Sequence, residues 1–296
     1  MLRYLFAFFV SVTALFALQF EIVNPDVSNG KTTLIKFKKE KNIFYKDVVV
    51  GKKKFPIFQN PLNTDEYCAL IGFSYYEKPA TKELYVEYEK EKHDQKELLF
   101  LHLHAGKYQK ETISVDPSKV NPKAPAVKKR IAREYAEAMK VYNSVSKKNY
   151  LHAPFILPIE SKITSDFGKA RVYNGSLKGY HSGTDFRAQV GTPIKAANDG
   201  RVALVKKRFY SGGTVVLDHG EGIYTCYFHM SRFSVKKGEL VKRGEILGLS
   251  GKSGRVTGPH LHFSARIKGV QVDPLQLIAL MNNNILNSGN STGENK

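Results

Sequence analysis

The sequence predicts a mainly β protein in which two β-rich domains are joined by one helix. With 296 residues, the chain is longer than one typical domain. Short runs of branched and aromatic residues alternate with Asn-Gly, Asn-Pro, Lys-Pro and Ala-Gly turns, a pattern typical of strands. One stretch near the middle of the chain instead has apolar residues at helical spacing. These three observations give the fold class.

The N-terminal domain, residues 19–122, is predicted to be a small β-sandwich, for which an immunoglobulin-like arrangement is one possible form. The expected strands are Thr32–Phe37, Ile43–Val50, Phe55–Phe58, Cys68–Gly72, Leu84–Glu89, Leu98–Leu103 and Glu111–Val115. His102 and His104 alternate with leucines and therefore share one strand face. Because two ligands do not complete a metal site, we interpret this pair as a polar strand face.

The segment 123–150 is predicted to form a linking helix. Ile131, Tyr135, Ala138 and Tyr142 recur at helical spacing and are expected to pack as one stripe, with basic residues covering the other faces. A basic helix can bind nucleic acid or lipid, but its position between two domains favours a packed spacer.

A second β-rich domain is expected over residues 151–280. Short strands and glycine turns resume there, and an apolar turn, LQLIAL, closes the domain after Pro274. The residues that follow, 281–296, are polar and rich in asparagine and serine. They are predicted to be a disordered tail.

The first 18 residues resemble a secretory signal peptide. Arg3 precedes an apolar run, Tyr4–Leu18, that is interrupted only by Ser11 and Thr13. A run of this length is short for a membrane span but suits a signal peptide. A retained membrane anchor extending to Phe20 is the alternative, and both interpretations predict an exported chain. No other stretch is long and apolar enough to span a bilayer.

Charge and cysteine content narrow the chemistry. The net charge is +19, of which residues 151–279 carry +10, and this favours nucleic acid, anionic lipid or an acidic wall polymer as a partner. A lysine-rich surface can also serve solubility alone. Cys68 and Cys226 fall in different halves and are predicted to be unpaired, although a bridge between domains stays open. Two cysteines exclude a Cys-rich zinc module, so any metal must use histidine and carboxylate.

Three histidine motifs in the second domain predict a metal site. They are YHSGTDF at 180–186, YTCYFHM at 224–230 and GPHLHF at 258–263. His181 and Asp185 lie four residues apart around a glycine, so they can converge where a strand meets a turn. In H-x-H on a strand, His260 and His262 face the same side.

Catalytic zinc uses three protein ligands and leaves one position open. His181, Asp185 and one histidine of the H-x-H pair supply that set. Two further histidines then remain for protons and developing charge. His219 lies before a glycine turn and is interpreted as structural. The sequence contains no Walker loop and no H-E-x-x-H motif, so those enzyme classes are not supported.

Together these motifs resemble the LytM/lysostaphin-type zinc peptidases of the M23 family. The resemblance extends through SDFG at 165–168 with Arg171, GTPIKAANDGRV at 191–202 and VKKGELVKRGEILGLSGKSG at 235–254. It covers about residues 155–275 and implies a LytM-type β-sheet peptidase domain. The preceding β domain and helix look more loosely like the N-terminal module of some exported members.

The resemblance also implies the site and its reaction. His181, Asp185 and His262 correspond to the ligands of one zinc ion, and His229 and His260 to the two catalytic histidines that are not ligands. The implied substrates are peptide stems and cross-links of peptidoglycan, cut by a D,D-endopeptidase that can also act as a D,D-carboxypeptidase.

Such enzymes remodel the wall during growth and can set cell shape, and the periplasm of a Gram-negative bacterium is the expected location. Members that have lost ligands activate other wall hydrolases, but all five positions are filled here. A non-catalytic wall-binding scaffold or activator of other wall hydrolases is the alternative, and the five filled positions disfavour it.

Two other functions have weaker support in the sequence. The segment at 191–202 and the hairpin at 237–248 also resemble biotinyl or lipoyl carrier domains, but no attachment lysine is recognisable and the histidines would be unexplained. Nucleic-acid binding is motivated only by charge, since an exported chain without a recognition-helix or stacked-aromatic signature does not favour it.

Overall fold

The computed structural model describes residues 18–175 and 177–287. It confirms a mainly β fold with one helix between two β-rich parts. No helix within the described residues is long and apolar enough to cross a membrane. The predicted signal peptide lies outside the described residues, apart from Leu18.

The N-terminal part is one curled sheet. Its strands are β1 Phe20–Ile22, β2 Asp26–Ser28, β3 Thr32–Lys38, β4 Ile43–Val50, β5 Lys53–Gln59, β6 Glu66–Gly72, β7 Ala80–Lys90 and β8 His93–His104. They are hydrogen-bonded in the order β1-β3-β6-β5-β4-β7-β8-β2.

Ring contacts across this sheet show how it closes. The ring centroids of Phe37 on β3 and Tyr45 on β4 are 5.1 Å apart, although β6 and β5 lie between these strands in the sheet. The sheet must therefore curl around a core of its own. One continuous sheet forms this sandwich, whereas an immunoglobulin domain uses two separate sheets.

Helix α1 spans Pro125–Tyr142 and packs on the second β-rich part through buried Ala138 and Tyr142. The predicted packing of Tyr135 is wrong, since its side chain is 64% exposed. Glu134 is buried instead and accepts a hydrogen bond from the backbone N–H of Phe209 at 2.8 Å. A hydrogen-bonded carboxylate thus takes the place that periodicity alone would give to an aromatic ring.

The second part contains the remaining strands of the described residues. They are β9 Lys110–Ile113, which precedes α1, then β10 Ile163–Ser165, β11 Ala170–Tyr173, β12 Leu177–Tyr180, β13 Thr184–Arg187, β14 Pro193–Lys195, β15 Gly200–Arg208, β16 Gly212–Asp218, β17 Ile223–Met230, β18 Arg232–Phe233, β19 Leu240–Val241, β20 Ile246–Leu249, β21 His260–Ile267 and β22 Val270–Val272. The central sheet has the order β10-β13-β21-β17-β16-β15-β19, and β22 pairs with β21.

Two three-stranded sheets flank the central one. One has the order β14-β20-β18 and the other β12-β11-β9. In the second, β9 runs parallel to β11, with Glu111 opposite Arg171. The chain segment predicted to end the N-terminal domain therefore adds a strand to the second one, because pairing partners are decided by tertiary structure rather than by chain order.

The folded part of the C-terminus extends further than the composition suggested. Helix α2 spans Pro274–Met281, and a π-helix follows at Asn282–Leu286 with Ile285 and Leu286 buried. The prediction of a disordered tail from residue 281 is thus wrong as far as residue 287, because these two apolar side chains join the core. Residues 288–296 lie outside the described residues.

The two β-rich parts are joined by direct backbone and side-chain bonds. The N–H of Asp273 donates to the carbonyl of Gly30 at 2.8 Å, and Gln276 both accepts from and donates to the backbone of Thr32 at 2.9 Å. Cys68 and Cys226 are buried in different parts and both thiols are free, as predicted.

Candidate metal centre

The three predicted ligands converge because two of them lie opposite each other on neighbouring strands. Asp185 on β13 pairs in register with His262 on β21, and His181 precedes β13 by three residues. Asp185 Oδ1 is 2.8 Å from His262 Nδ1 and 2.9 Å from His181 Nε2. The two imidazole nitrogens are 3.0 Å apart. Three donor atoms thus form a nearly equilateral triangle among buried side chains.

Gly183 makes this convergence possible. A Cβ at this position would lie 2.3 Å from the carbonyl oxygen of Phe263 and 2.6 Å from His262 Nε2. No other residue fits there without moving β21. The glycine between His181 and Asp185 therefore lets the turn approach the strand that carries the third ligand.

The hydrogen-bond partner of His181 Nδ1 favours a cation site at the triangle. His181 Nδ1 is 2.7 Å from the carbonyl oxygen of Asp166, which has no proton and must accept one. In neutral His181, Nε2 is therefore a bare lone pair, and it faces the lone pairs of the Asp185 carboxylate. Such a contact is repulsive without a cation between the atoms.

The spacing of the donor atoms also fits a metal. Nitrogen and oxygen ligands about 2.0–2.1 Å from a tetrahedral zinc lie roughly 3.3 Å apart, slightly more than the separations here. The residues present therefore fit a divalent metal with two nitrogens and one oxygen.

The second oxygen of Asp185 is held by Arg171. Arg171 Nη2 donates to Asp185 Oδ2 at 3.1 Å, and Arg171 Nε donates to Glu111 Oε2 at 2.9 Å. Ser165 Oγ accepts from the same guanidinium at 3.1 Å. The guanidinium thus fixes the rotation of the Asp185 carboxylate so that Oδ1 points into the triangle.

Burial and hydrogen bonding set the protonation of two of the ligands. Burial would raise the pKa of Asp185, but the neighbouring imidazoles of His181 and His262 bring that pKa well below its usual value. Burial lowers the pKa of His262 to about 4. At neutral pH, Asp185 is thus a carboxylate and His262 a neutral imidazole, which are the forms that bind metals.

His229 reaches the centre from a β-bulge. Between β16 and β17 the register shifts, so that Phe228 and His229 together oppose Thr214. His229 has a φ of 63°, a left-handed conformation that is uncommon for residues other than glycine. Its Nδ1 donates to the carbonyl oxygen of Ser253 at 2.8 Å. The bulge and this bond turn the ring out of the strand's alternation and toward the ligands, with Nε2 left unprotonated.

His260 is held in a similar way at the start of β21. Its Nδ1 donates to the carbonyl oxygen of Gly258 at 2.9 Å, so Nε2 carries the free lone pair. That Nε2 is 3.6 Å from Asp185 Oδ1, and the ring centroids of His229 and His260 are 4.8 Å apart. Two imidazoles with free Nε2 lone pairs therefore stand beside the ligand triangle.

The centre opens into a groove of about 490 Å³. One wall consists of β9 and β11, and the other of residues 255–259 in the loop that precedes β21. The ligand triangle, His229 and His260 line the floor. A peptide chain can therefore lie between the walls with a bond above the ligands.

Two residues of this groove, Glu111 and Arg255, were not predicted from the sequence. Glu111 joins the site only through the β9–β11 pairing, for which the sequence carries no local signal. Arg255 is a single arginine in a glycine-rich loop, and only its closeness to the GPHLHF motif could have drawn attention to it.

Three of the other histidines are accounted for without a metal. His219 is fully buried, donates from Nδ1 to the carbonyl oxygen of Asp199 at 2.6 Å and contacts Thr225 Oγ1 at 2.7 Å, as expected of a structural residue. His102 and His104 lie on the exposed face of β8, where His104 Nε2 is 3.1 Å from Asp26 Oδ1. Among the described residues, one cluster of three potential ligands is found, His181, Asp185 and His262.

Comparison with known proteins gives one consistent family. The model of peptidase family M23 matches residues 179–274. The peptidoglycan DD-endopeptidase ShyA of Vibrio cholerae serotype O1 is 41% identical over 122 residues, which are 40% of this chain and 28% of ShyA. The DD-carboxypeptidase/endopeptidase Mpg of Neisseria meningitidis serogroup B is 41% identical over 97 residues, 33% of this chain and 22% of Mpg.

A solved structure resembles a larger share of the fold. A Pseudomonas aeruginosa protein assigned to peptidase M23 is 26% identical, with a TM-score of 0.64 over 85% of this chain and 94% of that one. The curated relatives, by contrast, are matched over less than a third of their own length. The sequence similarity to those relatives is therefore concentrated in the part of the chain that carries the metal centre.

Proposed function

The chain belongs to peptidase family M23, and from this we propose that it is a zinc peptidase that hydrolyses the peptide cross-links of peptidoglycan. The observation that carries the proposal is the triangle of His181 Nε2, Asp185 Oδ1 and His262 Nδ1, with two further imidazoles beside it. The printed activities of ShyA and Mpg support the substrate class.

We assign the three atoms of the triangle as the ligands of one zinc ion. When bound, zinc supplies a Lewis acid that polarises the scissile carbonyl and lowers the pKa of water. Asp185 offsets one of its two positive charges, while Arg171 keeps the second carboxylate oxygen occupied. Neutral His181 and His262 leave the rest of the charge in place, which favours strong polarisation.

His229 and His260 are assigned to proton transfer. Each donates from Nδ1 to a backbone carbonyl, so each keeps one tautomer and presents Nε2 as a base. One of them accepts the proton of the attacking water, and the other delivers a proton to the leaving amine or stabilises the developing oxyanion. Burial is the main cause that holds the pKa of His229 well below its usual value, and the neighbouring imidazoles act in the same direction. This ring therefore starts the reaction neutral.

The substrate assignment rests on the groove and on charge. A groove of this volume, with the ligand triangle on its floor, accommodates a peptide with residues on both sides of the cut bond. The carboxylates of wall peptides complement a basic peptidase domain. We propose D,D-endopeptidase activity as the main reaction, with D,D-carboxypeptidase activity on uncross-linked stems as a second one.

The cellular setting follows from the same assignment. An N-terminal signal peptide would export the chain to the periplasm of a Gram-negative bacterium, where peptidoglycan is accessible. There it would act in wall remodelling and in changes of cell shape. The alternative of a non-catalytic scaffold or activator predicts the same location but needs none of the five residues at the centre.

Digestion of purified peptidoglycan tests the proposal. The full mature chain, loaded with zinc, is incubated with sacculi, and the released fragments are analysed by mass spectrometry. We expect cross-linked dimers to be converted to monomers, and chelation to stop this conversion. Wall binding without any change in fragment masses, at any zinc loading, would favour the scaffold.

A further inference from the structure

Arg255 belongs to the loop 251–259, which is anchored to both catalytic histidines. The carbonyl of Ser253 accepts from His229 Nδ1, and the carbonyl of Gly258 accepts from His260 Nδ1. Arg255 lies between these two anchors in sequence and lines the groove. Its backbone position is therefore fixed relative to the reacting groups.

The turn before β16 holds this loop closely. The N–H of Arg255 donates to the carbonyl of Tyr210 at 2.8 Å. Gly254, with a φ of +87°, allows the contact, because a Cβ there would lie 2.4 Å from that carbonyl oxygen. These contacts thus hold the backbone of Arg255 in place.

The guanidinium of Arg255 lies over two tyrosine rings. Its Cζ is 4.3 Å from the ring centroid of Tyr173 and 4.7 Å from that of Tyr210. Tyr173 is on β11 in the opposite wall, so the arginine reaches across the groove. Contacts with ring faces orient a guanidinium but leave its N–H donors without acceptors.

Neither carboxylate of the groove is paired with Arg255. Two carboxylates line the groove, Glu111 and Asp185, and both are bonded to Arg171. Within the part of the chain that the structure describes, the guanidinium of Arg255 forms no ion pair and donates no hydrogen bond. Arg255 is therefore a preoriented cation with free donors in a substrate groove.

We propose that Arg255 is a specificity-determining residue that binds a carboxylate of the peptide substrate. This inference rests on the proposed function, since it concerns which peptides the groove selects. The planar guanidinium fork matches a carboxylate with two parallel hydrogen bonds, and a lysine cannot reproduce that geometry. Stem peptides offer two sources of this group, the C-terminal carboxylate and the side-chain carboxylates.

Binding of synthetic stem peptides distinguishes these sources. Three uncross-linked peptides that lack a D,D-bond, and are therefore not cut during the measurement, are used: one with free carboxylates, one amidated at the C-terminus and one amidated on the side chains. Their dissociation constants are measured by calorimetry with the zinc-loaded full chain, and hydrolysis of sacculi is followed in parallel. We expect one of the two amidations to weaken binding about 10–100-fold, as the loss of a charge-assisted pair should.

Variants of Arg255 assign that difference to one side chain. In Arg255→Met, the free and the amidated peptide should bind equally weakly, and Arg255→Lys should recover only part of the difference. Arg232→Met removes the same charge from an exposed position outside the groove and should leave all three constants unchanged. Zinc content and thermal unfolding of each variant show whether the loop stays intact.

The results separate the inference from the proposed function. If Arg255→Met keeps the full preference for the free carboxylate, or weakens all three peptides alike, or if the wild type shows no carboxylate preference, the inference is wrong even when sacculi are cut. If the preference depends on Arg255 while sacculi are not cut, the inference stands and the proposed hydrolytic function fails.

Discussion

Asp185 and His262 face each other in register across β13 and β21, with Oδ1 2.8 Å from Nδ1. This pairing uses one carboxylate oxygen for the ligand triangle and leaves the other for Arg171. The metal centre is therefore built by the central sheet itself. His229 and His260 stand on neighbouring strand ends, so the whole site depends on the register of three adjacent strands.

The first prediction separates ligands from proton carriers. His262→Ala should lose zinc and hydrolysis together, because two ligands do not hold the ion tightly. His260→Ala should keep zinc, since the triangle is complete, and lose turnover by ~10²–10⁴-fold through missing proton transfer. His229→Ala should behave like His260→Ala. Metal content per chain, measured beside the hydrolysis rate, checks all three.

Zinc lost from His260→Ala but retained in His262→Ala would reverse the ligand assignment. Unchanged hydrolysis in both variants would move the reaction to another place in the molecule.

The second prediction concerns the support of Asp185. Arg171→Met frees Asp185 Oδ2 and should lower zinc affinity or turnover by about 10–100-fold, as removal of groups behind a metal ligand commonly does. Glu111→Gln should have a smaller effect in the same direction, because Arg171 keeps its bond to Asp185. Lys110→Gln is the control, because Lys110 lies on the same strand as Glu111 but is exposed. Zinc affinity is measured by competition with a chelating dye, and equal values for Arg171→Met and Lys110→Gln would contradict the prediction.

The third prediction tests the contribution of β9. A chain of residues 123–296 lacks this strand and its Glu111, so β11 loses its parallel partner and one wall of the groove. A chain of residues 105–296 keeps both. We expect the longer fragment to hydrolyse sacculi faster than the shorter one and to unfold at a higher temperature. Equal rates and equal wall binding for the two fragments would show that β9 contributes to neither hydrolysis nor wall binding.

The fourth prediction uses the buried structural histidine. Burial lowers the pKa of His219 to about 4, so the folded protein binds fewer protons than the unfolded chain between that value and about 6.5. Stability from this group is present above pH 6.5 and is lost as the pH falls toward 4.

Between pH 7.5 and 5, the wild type should lose about 2 kcal/mol more free energy of unfolding than His219→Gln, which cannot titrate. Urea unfolding of both proteins at the two pH values gives this difference. A difference that does not change with pH would show that His219 is not buried in its neutral form.

Much of the site was predictable because its signals are local. H-x-G-x-D and H-x-H place ligands by strand alternation and by one tight glycine, and the structure brings His181, Asp185 and His262 together as these patterns suggest. The fold class followed from turn chemistry and short apolar runs. The zinc peptidase resemblance then assigned His262 rather than His260 to the metal, a choice that alternation alone leaves open.

The remaining features depend on tertiary contacts. Glu111 enters the site because β9 pairs with a strand some sixty residues further along the chain, and no local pattern encodes that partner. Tyr135 was predicted to be packed from periodicity, but the buried face of α1 is rotated so that Glu134 points inward. The buried Ile285 and Leu286 lie in an Asn-rich stretch whose composition suggests disorder.

Zinc content and its link to hydrolysis test the central claim most directly. The chain of residues 19–296 is purified and its zinc is measured by atomic emission. Its hydrolysis of sacculi is followed before chelation, after exhaustive chelation and after addition of one equivalent of zinc. We expect about one zinc per chain, no hydrolysis of the metal-free protein and recovery of the rate at one equivalent. Hydrolysis at an unchanged rate by the metal-free chain would contradict the assignment of His181, Asp185 and His262 as the catalytic metal centre.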